Sequence, residues 1–159
     1  LYYTNRVFKK LREKEIDVCF ITLHVGYGTF KPITTEKVEQ HIVDAEDFTI
    51  SEETADLLNK KKKEGKRIVA VGTTVTKVLK TQYINGVFQA GTGSTDKYIY
   101  PPYYFRAVDI LQTNFHLPRS SLLALVFAFA GKDLIMKAYN YAIENQFRFY
   151  SYGDTMMIL

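Results

Sequence analysis

Three polar clusters in this sequence hold the residue types that acid–base and recognition chemistry need. The first is Thr113-Asn114-Phe115-His116-Leu117-Pro118, followed by Ser120-Ser121 and an apolar run from Leu122 to Ala130. Pro118 disfavours helix at Leu117, and Ser120 or Ser121 can cap a helix over the apolar run by accepting a free backbone N–H. Asn114 and His116 therefore lie beside the core, ahead of a helix start, where a donor and a titratable ring can be held against a ligand. The plainer alternative is that both only cap and tie the loop.

The second cluster is Gly72-Thr73-Thr74. A short buried strand over Arg67–Val71 leads into it, and a helix carrying Val75, Val78 and Leu79 leaves it. Free N–H groups at a helix start, with two hydroxyls beside them, outline an anion or ribose site. A helix simply capped by threonine is the competing reading. The third cluster, His24-Val25-Gly26-Tyr27-Gly28-Thr29-Phe30, ends a strand predicted over Asp17–Leu23. Its two glycines allow a tight turn or close approach to a ligand, but they do not make the longer dinucleotide fingerprint.

Two further groups read as structural. His41, Asp44, Glu46 and Asp47 lack metal-site spacing, so 36–48 is expected to be a solvated loop or edge strand. The lysines Lys60–Lys63 close a helix that Ser51 caps and Glu52 and Glu53 begin, with Leu57 and Leu58 facing inward. That order matches the helix macrodipole, which is favoured over an RNA patch.

The positioning elements can be read from spacing. Thr4 caps a short helix with Val7, Phe8 and Leu11 on one side and Lys9, Lys10, Arg12 and Lys14 on the other,. Asn85–Asp96 reads as an exposed loop and Lys97–Tyr100 as a strand stopped by Pro101-Pro102. The run Leu122–Ala130 is a buried helix, too short to span a bilayer. Asp133 begins another helix with Ile135, Ala138, Tyr139, Ala142 and Ile143 inward. Phe147–Tyr150 is a strand, Ser151–Asp154 a turn, and Met156–Leu159 extended chain. Strands separated by helices argue an α/β layered domain, a single one over 1–159.

Composition sets the outer limits. The 159 residues are 47% hydrophobic, which excludes a disordered chain,. A net charge of +4 permits an anionic partner without requiring one,. The lone Cys19 excludes an internal disulfide, fits a reducing cytoplasm, and is expected to be a buried small hydrophobe,. The first residue is Leu, so a piece of a longer protein is expected.

The blocks His24-Val25-Gly26-x-Gly28-Thr29-Phe30-x-Pro32, Val71-Gly72-Thr73-Thr74, Thr113–Pro118, Ala128-Phe129-Ala130-Gly131 and Tyr150-Ser151-Tyr152-Gly153-Asp154 together resemble a known family. It is the S-adenosylmethionine:tRNA ribosyltransferase-isomerase (QueA) family of queuosine biosynthesis. The blocks keep that family's order over nearly the whole chain. The resemblance implies the α/β domain of a longer enzyme, a layered sheet with helices, without the inserted β-barrel. It implies transfer of the ribosyl part of S-adenosylmethionine to 7-aminomethyl-7-deazaguanine in tRNA. Rearrangement to epoxyqueuosine then releases adenine and methionine. S-adenosylmethionine is a consumed substrate, so no cofactor and no metal are expected. The implied partners are tRNA and S-adenosylmethionine, with no membrane, in a cytoplasmic monomer.

On that reading His116 and His24 serve as acid or base, and Thr73 and Thr74 meet hydroxyls. Asn114 and Tyr152 donate, Asp154 accepts, and Gly26, Gly28, Thr29 and Gly72 approach the substrate. The chain departs from the family pattern at Tyr2, where a His is usual, and at Pro102, where a Gly is usual. Lys77 and Lys80 stand for an Arg and a Glu, and Phe127 for a small residue. A diverged relative that binds S-adenosylmethionine or a nucleotide without this reaction is the alternative. No Gly-x-Ser-x-Gly elbow supports a hydrolase.

Overall fold

The computed structural model describes residues 3–26, 28 and 31–159. In chain order the elements begin with α1 (Asn5–Glu13), β1 (Thr22–His24), β2 (Glu46–Ile50), α2 (Glu52–Lys63), β3 (Val69–Val71) and α3 (Thr73–Gln82). They continue with β4 (Tyr83–Ile84), β5 (Val87–Phe88), β6 (Gly91–Thr95), β7 (Ile110–Asn114), α4 (Ser121–Ala130), α5 (Lys132–Glu144) and β8 (Thr155–Ile158). This is a mixed α/β fold whose strands form small separate sheets rather than one broad layer.

The caps lie where the side-chain chemistry puts them. Hydroxyls of Thr4, Ser51 and Ser120 accept N–H groups from the first turns of α1, α2 and α4,. At α3 the N-cap is Gly72, with φ of 111° and no side-chain cap bond. That backbone conformation favours glycine, and it leaves the Thr73 and Thr74 hydroxyls out of capping.

The strand predicted over Asp17–Leu23 is shorter and later. Residues 17–21 join no sheet, and the Thr54 hydroxyl donates to the Phe20 carbonyl at 3.0 Å. The segment read as a loop or edge strand holds β2, the middle strand between β1 and β6, antiparallel to both. Asn85–Gly86, expected in a loop, turns the β4–β5 hairpin with φ of 52° and 84°, as an Asn-Gly turn permits. Neither 97–100 nor 147–150 is a strand.

β7 is the strand on which the site depends. It runs parallel to β3 and antiparallel to β8, with Val71 opposite Gln112 and Asn114 opposite Thr155. Two apolar clusters support this sheet. One gathers Phe48, Ile50, Leu58, Ala70, Val78 and Phe88; the other gathers Leu111, Phe115, Leu125, Val126, Ile135 and Tyr139. The half-buried Phe129 packs against both. α4 buries Leu122, Ala124, Leu125 and Val126, while its remaining apolar residues are half-buried, so it is not enclosed on all sides. α5 turns Ile135, Tyr139 and Ala142 inward, but Ile143 is 62% exposed. Cys19 is half-buried.

Beneath the first cluster Lys77 on α3 forms an ion pair with Glu46 on β2; their side chains are 10% and 2% exposed. Two elements that sequence places far apart are thereby joined inside the core. Among the described residues no helix is long and apolar enough to cross a membrane.

Candidate active site

Parallel strands point their carboxyl ends the same way, and the next residues of each chain meet there. After β3 comes Gly72-Thr73-Thr74, and the Gly72 N–H donates to the Gln112 carbonyl of β7 at 2.8 Å. β7 ends in Thr113-Asn114 and passes to His116. A cavity of about 370 Å³ opens at this point, lined by Gly72, Thr73, Thr74, Thr113, Asn114 and His116. Val25, Ser120, Leu122, Tyr150 and Ser151 also line it.

The first-turn N–H groups of α3 lack intrahelical acceptors, and the helix dipole places partial positive charge there. Thr73 is buried and Thr74 half-buried. Asn114 is held by its amide, which donates to the carbonyls of Gly153 and Asp154 at 3.3 and 3.2 Å. Tyr150, with φ of 68°, is kept in its left-handed conformation by an N–H bond to the Phe115 carbonyl at 2.9 Å. A non-glycine residue in that region carries backbone strain, which collects at functional sites.

His116 is fixed at two points. Its backbone N–H donates to the Tyr139 hydroxyl at 2.7 Å, and its Nε2 lies 2.8 Å from the Thr113 hydroxyl. Burial of the ring lowers its pKa from 6.5 to about 4, so it is neutral at physiological pH. Burial likewise pushes the Tyr139 hydroxyl up to about 12, against a smaller lowering by the His116 hydrogen bond. Tyr139 reaches the site from α5, and sequence spacing identified it only as core. The signal was absent because 23 residues separate the two partners.

The other proposed residues are placed elsewhere. His24 is exposed on β1 opposite Asp47, and it does not line the cavity although Val25 does. Gly26 is exposed outside it. Gly28 lies against Asp44, where an added Cβ would stand 2.1 Å from a carboxylate oxygen. Thr29 lies outside the described residues, as does Tyr2. Tyr152 is 83% exposed, and the Asp154 carboxylate is engaged by the Arg148 guanidinium and backbone N–H, which lower its pKa. Among the described residues no His/Cys/Asp/Glu group could hold a metal.

Tyr139→Phe tests the clamp. Removing the hydroxyl orphans the His116 N–H, and the expected loss is about 1–3 kcal/mol. Urea unfolding measures it, and an unchanged midpoint with unchanged slope would show that the bond contributes nothing.

The crevice beyond the ends of β3 and β7, with the start of α3 beside it, is the candidate ligand site of a mixed α/β fold,. The chain belongs to the family described as queuosine biosynthesis protein, whose model matches residues 1–158. It is 54% identical over 159 residues to the S-adenosylmethionine:tRNA ribosyltransferase-isomerase of Aquifex aeolicus. It is 50% identical to that of a Sulfurihydrogenibium strain. In both cases the match covers 100% of this chain and 46% of the relative. The crystal structure of S-adenosylmethionine tRNA ribosyltransferase from Thermotoga maritima superposes with a TM-score of 0.81 at 41% identity. That match covers 98% of this chain and 50% of the other. The chain thus spans about half the length of the relatives it matches.

Proposed function

We propose that this chain is the α/β domain of an S-adenosylmethionine:tRNA ribosyltransferase-isomerase, a single domain over 1–159 from a protein that also carries the β-barrel. The cavity then holds S-adenosylmethionine. The observation that carries the reading is the convergence of Gly72-Thr73-Thr74 with Thr113, Asn114 and His116 at the carboxyl ends of β3 and β7.

Each wall of the cavity suits one part of that substrate. The start of α3 offers N–H groups and partial positive charge to a carboxylate. The Thr73 and Thr74 hydroxyls suit ribose hydroxyls. A neutral His116 tolerates the sulfonium charge, which an imidazolium would repel. When Nε2–H donates to Thr113, Nδ1 is left to accept a proton from the carbon beside the sulfur. The electron pair stays on that carbon, stabilised by the adjacent sulfonium. His116 is the base in this scheme, and Asn114 shapes the floor beside it. The ribosyl group passes to 7-aminomethyl-7-deazaguanine in tRNA, rearranges to epoxyqueuosine, and adenine and methionine leave.

The test is adenine release by the protein that carries this chain, given S-adenosylmethionine and tRNA bearing the 7-aminomethyl-7-deazaguanine precursor. Adenine formed only when both are present supports the reading. Calorimetric binding of S-adenosylmethionine without adenine release would instead identify a diverged relative. No binding by folded protein sinks both.

A further inference from the structure

Two stretches concentrate basic side chains, α1 with its C-cap Lys14 and the end of α2. On α2 Lys61 pairs with Asp17 at 2.8 Å and Glu64 at 3.4 Å and Lys62 with Asp109 at 3.2 Å, while Lys60 and Lys63 are exposed. Glu52 and Glu53 at its start and lysines at its end also match the helix dipole,. On α1 the dipole accounts for Lys10 and Arg12, which stand in the last turn, but not for Arg6,. Arg6, Lys9, Lys10, Arg12 and Lys14 are all exposed, and their one ion pair among the described residues is Lys9–Glu13 at 4.0 Å.

Two features of α1 oppose helix stability. Arg6, Lys10 and Lys14 recur every four residues, so like charges stack along one stripe, where each such pair is unfavourable. Arg6 stands in a first turn that holds no acidic residue, the wrong end for a cation,. The stripe is roughly 12 Å long at the helical rise. An extended anion laid along it would remove the repulsion.

The stripe is also tied to the candidate site. Tyr3, next to the α1 cap, donates its hydroxyl to the Gln112 side chain of β7, and the neighbouring Thr113 lines the cavity. Val71 lines both that cavity and the apolar one to which Tyr3 and Phe8 contribute.

We infer that the basic stripe of α1, Arg6, Lys10 and Lys14, docks the phosphate backbone of the RNA substrate beside the cavity. The identification of the anion as RNA rests on the function proposed above; the site on α1 is new to it. Phosphate contacts of this kind position the polymer without reading its sequence.

The experiment measures unmodified tRNA binding by fluorescence anisotropy across salt concentrations, using the protein that carries this chain. The variants are Arg6→Gln/Lys10→Gln/Lys14→Gln, and Lys60→Gln/Lys63→Gln on α2 as the control. The α1 variant should lose about 10-fold or more in affinity. The slope of log affinity against log salt should fall by roughly one for each phosphate contact removed. The α2 variant should match wild type, and S-adenosylmethionine affinity should be unchanged in both. Wild-type affinity and slope in the α1 variant overturn the inference, as do equal losses from α2 or no tRNA binding by wild type. Failure of the proposed reaction reads out separately, as missing adenine release with the salt-dependent tRNA binding intact.

Discussion

Replacing His116 by Gln is expected to lower turnover by about 10²–10⁴-fold, the usual contribution of a positioned general base. Gln carries an amide that reaches the position from which Nε2 bonds Thr113 but has no titratable proton. S-adenosylmethionine affinity and melting near neutral pH should therefore stay close to wild type. The acid side supplies a second readout. The ring's folded pKa of about 4 lies below its ordinary 6.5, so between those values the unfolded chain binds more protons than the folded one. Stability of the wild type therefore falls as pH drops through that window, by up to roughly 3 kcal/mol from this ring. His116→Gln removes that component and flattens the acid limb of the melting curve. Wild-type turnover in the variant would make His116 structural and move the base outside the described cavity.

The legibility of this site in sequence depended on how local its causes are. Ser120, Ser51 and Thr4 act on N–H groups three residues away, so their caps could be read directly. Gly72-Thr73-Thr74 was recognisable as a polar cluster between a strand and a helix, and Thr113–His116 as one ahead of a helix start. β7 was not expected as a strand, and its parallel pairing with β3 brings the two together. His24 fails to join them because strand alternation decides its direction: along β1 only Leu23 is half-buried, with Thr22 and His24 exposed. Tyr139 was hidden by the opposite effect, since an inward position on an amphipathic helix gives no hint that its hydroxyl holds a loop. The middle position of β2, in a stretch read as a loop or edge strand, was hidden for a related reason. Its alternation Glu46-Asp47-Phe48-Thr49-Ile50 places a carboxylate at an inward position, which reads as solvent-facing until the partner, 31 residues later, is known.

That partner carries the second large expectation. Lys77→Met should cost about 3–5 kcal/mol of stability, because it removes a cation paired with the buried Glu46 carboxylate,. Glu46→Leu removes the other member, and the double variant should lose less than the sum of the singles, by about 0.5–3 kcal/mol, the coupling expected of direct partners. Strict additivity in urea unfolding would mean the two charges do not interact. The pair also bears on the Lys77 departure from the family pattern, one of those set beside the alternative of a diverged relative. Lys77 does not line the cavity; it faces Glu46 beneath the first apolar cluster. Lys77→Arg keeps a cation within reach of that carboxylate, so substrate choice should be unaffected and any cost confined to packing. A change in the ratio of S-adenosylmethionine affinity to that of a competing nucleoside in Lys77→Arg would return this position to the substrate.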